Sequence, residues 1–399
     1  MDNSELLPVG RRVAYWRGRR KLSQQVLADR LGKSKSWVDK VERGVRSLDK
    51  VSTLQDIAAV LRIDTAVLLG RDAKPAAMSE RLESVERVRA ALSTYEIALK
   101  RPAADRVLPV DRLMQQAGHV WTTFQHARYP QAVDLLPQLL TDVQRAHARD
   151  PGAGRVPLVE AYRVTGSLLV KLGAPDVAWL AVDRAMIAAT GDRVLVAAAA
   201  VQLGQVLRAS GRARVAKSVM LAAAYRIAPP AVGVDDAGKL SLCGTLLVQA
   251  ALAAARDGDD RAAVDLVDEA AEMAARVGDG HDHYRTGFGP TAVELARIAV
   301  AVERGDAQEA VARHERVTTR DGWRWLSAEH RAAYLSDVAR AYLHADDPVG
   351  AGRVLVEADR IAPAEIRQRP AGRDVLAQVA QDSAAPTTLT HLAAAIGVG

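Results

Sequence analysis

One spacing constrains this chain more than any other: a turn residue, four further positions, then an alanine. It occurs six times, at Ala127 to Ala132, Gly173 to Ala178, Gly211 to Ala216, Gly258 to Ala263, Gly305 to Ala310 and Asp346 to Ala351. Seven residues before four of these turns stands a small residue: Gly166, Gly204, Ala251 and Ala339. A small residue there lets paired helices approach, and the fixed alanine lets the second helix nest against the first. The turns lie 46, 38, 47, 47 and 41 residues apart, enough for one helix pair per unit. The pattern therefore predicts an all-α stack of helix hairpins. An aromatic content of 4% fits, because pairs rich in Ala and Leu bury a continuous core without large rings.

The array resembles a degenerate tetratricopeptide (TPR) superhelix, an α-solenoid, over about residues 110 to 365, with AYRVTGSLLVKLG (Ala161 to Gly173) its clearest unit. Its units are longer than the ideal of about 34 residues. The excess is concentrated in two insertions, Ile227 to Gly238 and GDGHDHYRTGFGPT at Gly278 to Thr291, either of which could form a lid. Val375 to Ala395 reads as one or two capping helices. Counted from the small residue of each unit, the inner face holds Trp121, Phe124, Arg163, Ser167, Gln205, Arg208, Leu252 and Arg340, with Leu295 and Ser336. Phe288, between two glycines, is the residue expected to close over a ligand. Such a lining suits a small amphipathic effector or a short peptide with an anionic group. Solvated arginines and a plain surface turn are the alternatives.

Charge is divided unevenly. The chain carries 54 Lys+Arg against 48 Asp+Glu over 399 residues, a formal balance of +6. Met1 to Lys74 holds 16 basic and 9 acidic residues, and six of the ten lysines; the remainder holds 38 against 39. A basic front on a neutral body is the asymmetry of a chain whose first domain meets a polyanion, or else of a merely solvated basic face.

That first domain reads as a short helical bundle. Val9, Val13 and Trp16 place one apolar stripe on a helix whose other faces carry Arg11, Arg12, Arg17, Arg19 and Arg20. Ser23 caps a second helix with Leu27, Ala28 and Leu31 inward, ended by Gly32. Ser34 caps a third, KSWVDKVERG, which buries Val38 and Val41 and stops at Gly44. Leu54, Ile57, Ala58 and Leu61 mark a fourth helix and Thr65 to Leu69 a short fifth. With Ser23-Gln24, Leu27-Ala28, Gly32, Val38, Val41, Glu42 and Gly44 in register, residues 9 to 70 resemble the Cro-like, phage-repressor-type (XRE) helix-turn-helix. The resemblance implies that Lys35, Ser36, Asp39 and Lys40 reach base edges in a major groove. It implies backbone contacts for Gln24, Ser34, Trp37, Arg43 and Arg46. Trp37 departs from the usual smaller residue and is either a groove-edge contact or a packing residue against the fifth helix; the alternative for Gln24 is a cap alone, and for Arg43 and Arg46 a solvated face.

The domains expected are therefore residues 1–71 for the helix-turn-helix, 72–109 for a linker and connecting helix, and 110–399 for the repeats. Leu82, Val85, Val88, Leu92, Tyr95 and Leu99 form a seam on the connecting helix that serves either a dimer contact or packing on the array. A lone Cys243 leaves no intramolecular disulfide and fits a core position; His281-Asp282-His283 has no further ligands at metal-binding spacing, so no metal is expected. No nucleotide, hydrolase or zinc-protease motif occurs, so neither an enzyme nor a cofactor is expected. Without an apolar leader or a long uncharged apolar run, the chain is expected in the cytoplasm, on the nucleoid when bound to DNA.

The whole resembles bacterial one-component regulators, and YRTGFGPTAVELARIAVAVERGDAQEAV and YLSDVARAYLHADDPVGAGRVLVEADRIAP look like segments of repeat-containing regulators of high-GC bacteria, often encoded near secondary-metabolite genes. The resemblance implies a homodimeric, sequence-specific DNA-binding transcriptional regulator with double-stranded operator DNA as partner and a small-molecule or peptide effector. The alternative is a TPR-based protein-interaction scaffold whose helix-turn-helix is a docking module.

Overall fold

A left-handed backbone residue ends a helix without breaking the chain's path, and all six turn residues adopt it. Their φ values are 53° at Ala127, 72° at Gly173 and Gly211, 78° at Gly258, 79° at Gly305 and 56° at Asp346. At each turn this residue's N–H donates to the carbonyl three residues back, and the next N–H to the carbonyl five residues back, the closure expected around a left-handed residue. The alanine five positions on is fully buried in all six units. The computed structural model describes residues 8–46, 48, 51–61, 63, 65, 68, 76–93, 107–228, 236–382 and 386–398. These divide into two compact units, Met1–Ser79 and Glu80–Gly399.

The first unit contains α1 (Val9–Arg19), α2 (Gln24–Leu31), α3 (Lys35–Glu42) and α4 (Val51–Leu61). Val13, Leu27, Ala28, Val38, Ile57, Ala58, Leu61 and Leu68 form its core. Gly10 is required because a Cβ there would run into the Val41 carbonyl, so α1 lies directly on α3. The fifth helix expected at Thr65 to Leu69 falls mostly outside the described residues; of it, buried Leu68 accepts a bond from Arg12 Nη1 at 2.9 Å.

The second unit is entered by α5 (Ala76–Leu92), which starts inside the stretch expected as linker. Val85, Val88 and Leu92 are buried in the core of the repeats, so this part of the seam packs on the array; Tyr95 and Leu99 lie outside the described residues. Six hairpins follow: α6 (Val110–Gln125) with α7 (Tyr129–Arg149), α8 (Pro151–Lys171) with α9 (Pro175–Ala189), α10 (Arg193–Ala209) with α11 (Ala213–Ile227), α12 (Ala237–Arg256) with α13 (Asp260–Val277), α14 (Pro290–Glu303) with α15 (Ala307–Val317), and α16 (Ala328–His344) with α17 (Pro348–Ile361). Then come α18 (Pro363–Arg367), α19 (Pro370–Ala380) and α20 (Thr387–Ile396). The small residues sit where hairpin arms meet: a Cβ on Gly166 would collide with Val182 of α9, and one on Gly204 with Met220 of α11.

The first helices of successive hairpins touch in a row, and α16 also touches α6. The array therefore closes on itself, which the repeat spacing alone does not predict. A buried polar cluster makes the closure. Glu365 is fully buried and receives the Tyr129 hydroxyl, Lys171 Nζ at 3.0 Å and Arg369 Nη1 at 3.1 Å, while Lys171 also pairs with Glu329. A carboxylate can be buried at that depth only with such partners. One apolar core accordingly runs through both ends of the array, joining Val85, Leu140 and Leu169 to Val338, Ile366 and Leu376.

α12 is long and apolar enough to cross a membrane, but 67% of its apolar window is buried inside this unit as a core helix. Cys243 on it is buried, and burial followed by Glu269 raises its thiol pKa to about 12, as a core position requires.

Candidate nucleic-acid interface and internal cavity

Helices α2 and α3 are placed by paired serine caps. Ser23 Oγ accepts from Val26 N–H and Ser34 Oγ from Trp37 N–H, each at 3.1 Å. Gly32, at φ 62°, makes the turn between them. With Val38 and Val41 held in the interior, Lys35, Ser36, Asp39, Lys40 and Arg43 fall within an arc of roughly 140° at 100° per residue, facing outward. Below that face Glu42, almost buried, accepts Arg17 Nε at 2.6 Å, Arg17 Nη2 at 3.0 Å and Gln24 Nε2 at 2.8 Å. This triad ties α1, the start of α2 and the end of α3 together. Part of the basic excess is thus spent inside: Arg12 is buried, Arg17 pairs with Glu42, and Arg20 Nε donates to the Leu61 carbonyl at 3.0 Å.

In the second unit the closed row of first helices surrounds two adjoining cavities of about 520 and 390 Å3 that share Trp121, Phe124, Arg285, Thr286, Glu329 and His330. A smaller one of about 160 Å3 adjoins at Thr245, Gln249 and His330. The segment between Gly278 and Thr291 crosses here as a self-bonded strap. Asp279 accepts both Thr291 N–H at 3.0 Å and its hydroxyl at 2.7 Å, and Asp282 accepts Gly287 N–H at 3.0 Å and Gln125 Nε2 at 2.8 Å. Tyr284 and Arg285 hold positive φ values of 52° and 62°, and the fully buried Arg163 secures that strained point by donating to the Tyr284 carbonyl at 2.8 Å. Burial lifts the Glu329 carboxyl, but the charge and hydrogen bond of Lys171 lead the groups that outweigh it and hold its pKa below the usual value.

The family model described as a helix-turn-helix domain matches residues 8–69. Residues 8–69 are a helix-turn-helix domain. No curated protein matches the chain. Among solved structures it is similar to BtubC from P. vanneervenii, with 18% identity and a TM-score of 0.39 over 60% of this chain and 90% of that one. It is also similar to Bacillus thuringiensis PlcR, solved with the peptide PapR7 and DNA, with 13% identity and a TM-score of 0.31 over 90% of this chain and 98% of that one.

Within the helix-turn-helix domain, Lys35, Ser36, Lys40 and Arg46 are exposed on or beside the outer face of α3. Arg46 is fixed by its N–H, which donates to the Lys40 carbonyl at 3.0 Å. Asp39 pairs with Arg43 at 3.2 Å, an exposed pair weak enough to open toward another partner. The structure shows where two of the expected backbone contacts stand. Trp37 is half-buried and packs on the domain core, because its position lies at the margin of the outward arc, and Gln24 turns an amide N–H inward to Glu42.

Of the residues expected to line the array, Trp121, Phe124, Ser167, Gln205 and Arg208 do line the larger cavity, and Leu252 the smaller. Arg163 is a correction: its guanidinium is saturated by Gln202 Oε1 at 2.9 Å, Glu160 Oε1 at 2.5 Å and the strap, and lies over the Trp121 ring. Arg340 is another, turned to Asp337 at 2.9 Å and Glu303 at 3.7 Å. Phe288 is buried against Gly244, where a Cβ would collide with its ring, so it anchors the strap while its edge meets the small cavity. The first insertion, Ile227 to Gly238, lies mainly outside the described residues. His281 and His283 stack on each other at 5.6 Å, and among the described residues no group of three or more His, Cys, Asp or Glu side chains could hold a metal.

Gln249, Thr245, Arg285 and Thr286 are lining residues that the inner-face count missed. Only Gln249 carried a signal, standing two positions before the small Ala251 as Gln202 stands before Gly204 and Asp337 before Ala339.

Proposed function

We propose that the chain is a transcriptional regulator that binds operator DNA through α3 as a homodimer and responds to an effector held by the repeat unit. The observation that carries this reading is the outward row of Lys35, Ser36, Lys40 and Arg43 on the third helix of a domain matched as a helix-turn-helix. Lys35, Ser36 and Lys40 are assigned to base edges, with Asp39 accepting from a cytosine amino group when Arg43 swings to phosphate. Ser34, Arg43 and Arg46 are assigned to the sugar-phosphate backbone, with the second Gln24 amide hydrogen and the N–H groups opening α2. Trp37 acts by bracing α3. A dimer would read two half-sites about one helical turn apart, in the cytoplasm where the DNA lies.

Fluorescence anisotropy with duplex DNA tests the assignment. Lys40→Ala should lower the preference for the operator over random sequence by about 1–3 kcal/mol per half-site. Arg46→Ala should weaken both alike and make the slope of log affinity against log salt shallower by about one for each phosphate it no longer neutralises. Equal binding of operator and random DNA by the unmodified chain would sink the reading.

A further inference from the structure

The charges around the larger cavity pair off and leave one over. Glu329 and Glu365 are matched by Lys171 and Arg369, Glu303 and Asp337 by Arg256 and Arg340, and Asp282 by Arg285. Burial lowers the pKa of His330, which keeps its ring neutral at pH 7. The remainder is Arg208 of α10. Among the described residues it has no ion pair or hydrogen bond, and its Nε is sealed from solvent at the cavity wall. On the same wall Gln249 of α12 has its Oε1 sealed and without a donor. Leaving such groups unmet is unfavourable, and more so for the charged one. The aromatic side of the cavity is complete by contrast. Trp121 spends its indole N–H on Glu160 at 2.9 Å, stands edge-to-face with Phe124 at 5.9 Å and has Arg163 over its ring, so the small area these two buried residues turn to the cavity is apolar.

We propose that this cavity binds a small carboxylic acid, with the carboxylate on Arg208, an N–H or O–H of the same molecule donating to Gln249 Oε1, and an apolar body on Trp121 and Phe124. A single uncompensated charge selects a monoanion over a phosphate monoester. The volumes suit a drug-sized molecule, and the closed row of helices favours a free small acid over a peptide end threaded between repeats. Burial, then Arg256, depresses the Arg208 pKa to about 10, so the side chain stays charged at neutral pH yet gains from a counter-ion. The proposal deepens the effector reading above, but binding is measured without DNA, so either can fail alone.

The test is 19F NMR of trifluoroacetate titrated into the full-length chain, with trifluoroacetamide as the uncharged control. Trifluoroacetate should bind saturably with a Kd on the order of 10 mM, and the amide should not bind. Arg208→Gln should weaken trifluoroacetate about tenfold or more, Arg208→Lys less, and Arg261→Gln on the exposed surface not at all. Circular dichroism checks that each variant is folded. Indole-3-acetate should displace the probe at lower concentration than a tripeptide ending in a free Trp carboxylate, and Gln249→Leu should weaken N-acetyl-tryptophan but not trifluoroacetate. No saturable binding by the unmodified chain, equal binding by folded Arg208→Gln, or stronger displacement by the tripeptide would overturn the proposal.

Discussion

Glu42 is where the fold of the helix-turn-helix domain can be broken with least change in shape. Its carboxylate takes three N–H donors from Arg17 and Gln24 within 3.0 Å, and its side chain is 6% exposed against 19% for Arg17. Glu42→Gln keeps the volume, removes the charge, and turns an NH2 group toward donors. Breaking a buried pair from one side costs about 3–5 kcal/mol. Arg17 is partly exposed and keeps its bond to the Leu22 carbonyl at 2.8 Å, so it can rehydrate, and about 2–3 kcal/mol is the expected loss. A domain of this size is stable by only about 3–9 kcal/mol, and a loss of about 2.5 kcal/mol multiplies its unfolded fraction roughly 60-fold. Hydrogen exchange on the full chain, read by mass spectrometry, separates the units. Peptides from α1 to α3 should lose that protection while those from α8 and α12 keep theirs, because the triad lies wholly within the first unit. Unchanged protection in α1 to α3 would show that this triad does not hold α3 in place.

Three further outcomes follow from the repeat unit. Gly166→Ala should destabilise it by about 1–3 kcal/mol through the clash with Val182, and Val182→Ala should relieve much of that cost; strict additivity in the double-mutant cycle would contradict the packing. His314 is buried beside the Tyr334 hydroxyl, and burial, then Arg353, lowers its pKa to about 4. Because this folded pKa lies below the unfolded value, its stabilising contribution is complete above about pH 6.5 and is lost as pH falls toward 4, by about 3 kcal/mol. His314→Asn should therefore show a shallower loss of thermal stability across that window, and an equal slope would exclude His314 as the group responsible. Arg163→Met should free the strap and open the 278–291 segment to limited proteolysis, whereas a digestion pattern like that of the unmodified chain would show that the strap stands without it.

What was legible in the sequence was local. A left-handed turn, a fixed alanine five residues on and a small residue seven before it are all short-range demands, and Gly173, Ala178 and Gly166 meet them as the spacing predicts. The serine caps and the outward face of α3 were readable for the same reason. The closure of the array was not, because it depends on Tyr129, Lys171, Glu329, and the pair Glu365 and Arg369, four distant stretches whose residues nothing local marks as partners. Periodicity assigns a side chain to a face but not to a partner. Hence Arg163 looked like a ligand contact until Gln202, Glu160 and the strap surrounded it, and Phe288 like a lid until Gly244 gave it a seat. Arg12 and Arg17 were counted as outward charges because nothing local marks an arginine that will meet a distant carbonyl or carboxylate.

Selection from a genome tests directly whether α3 reads a particular DNA sequence. Sheared genomic DNA should be selected by the full-length chain and by Lys35→Ala/Lys40→Ala, and the bound fragments sequenced. One enriched motif with paired half-sites about a helical turn apart is expected, lost or altered in the double variant while α1 to α4 remain folded. Fragments recovered in proportion to their abundance, or the same motif from both proteins, would contradict it.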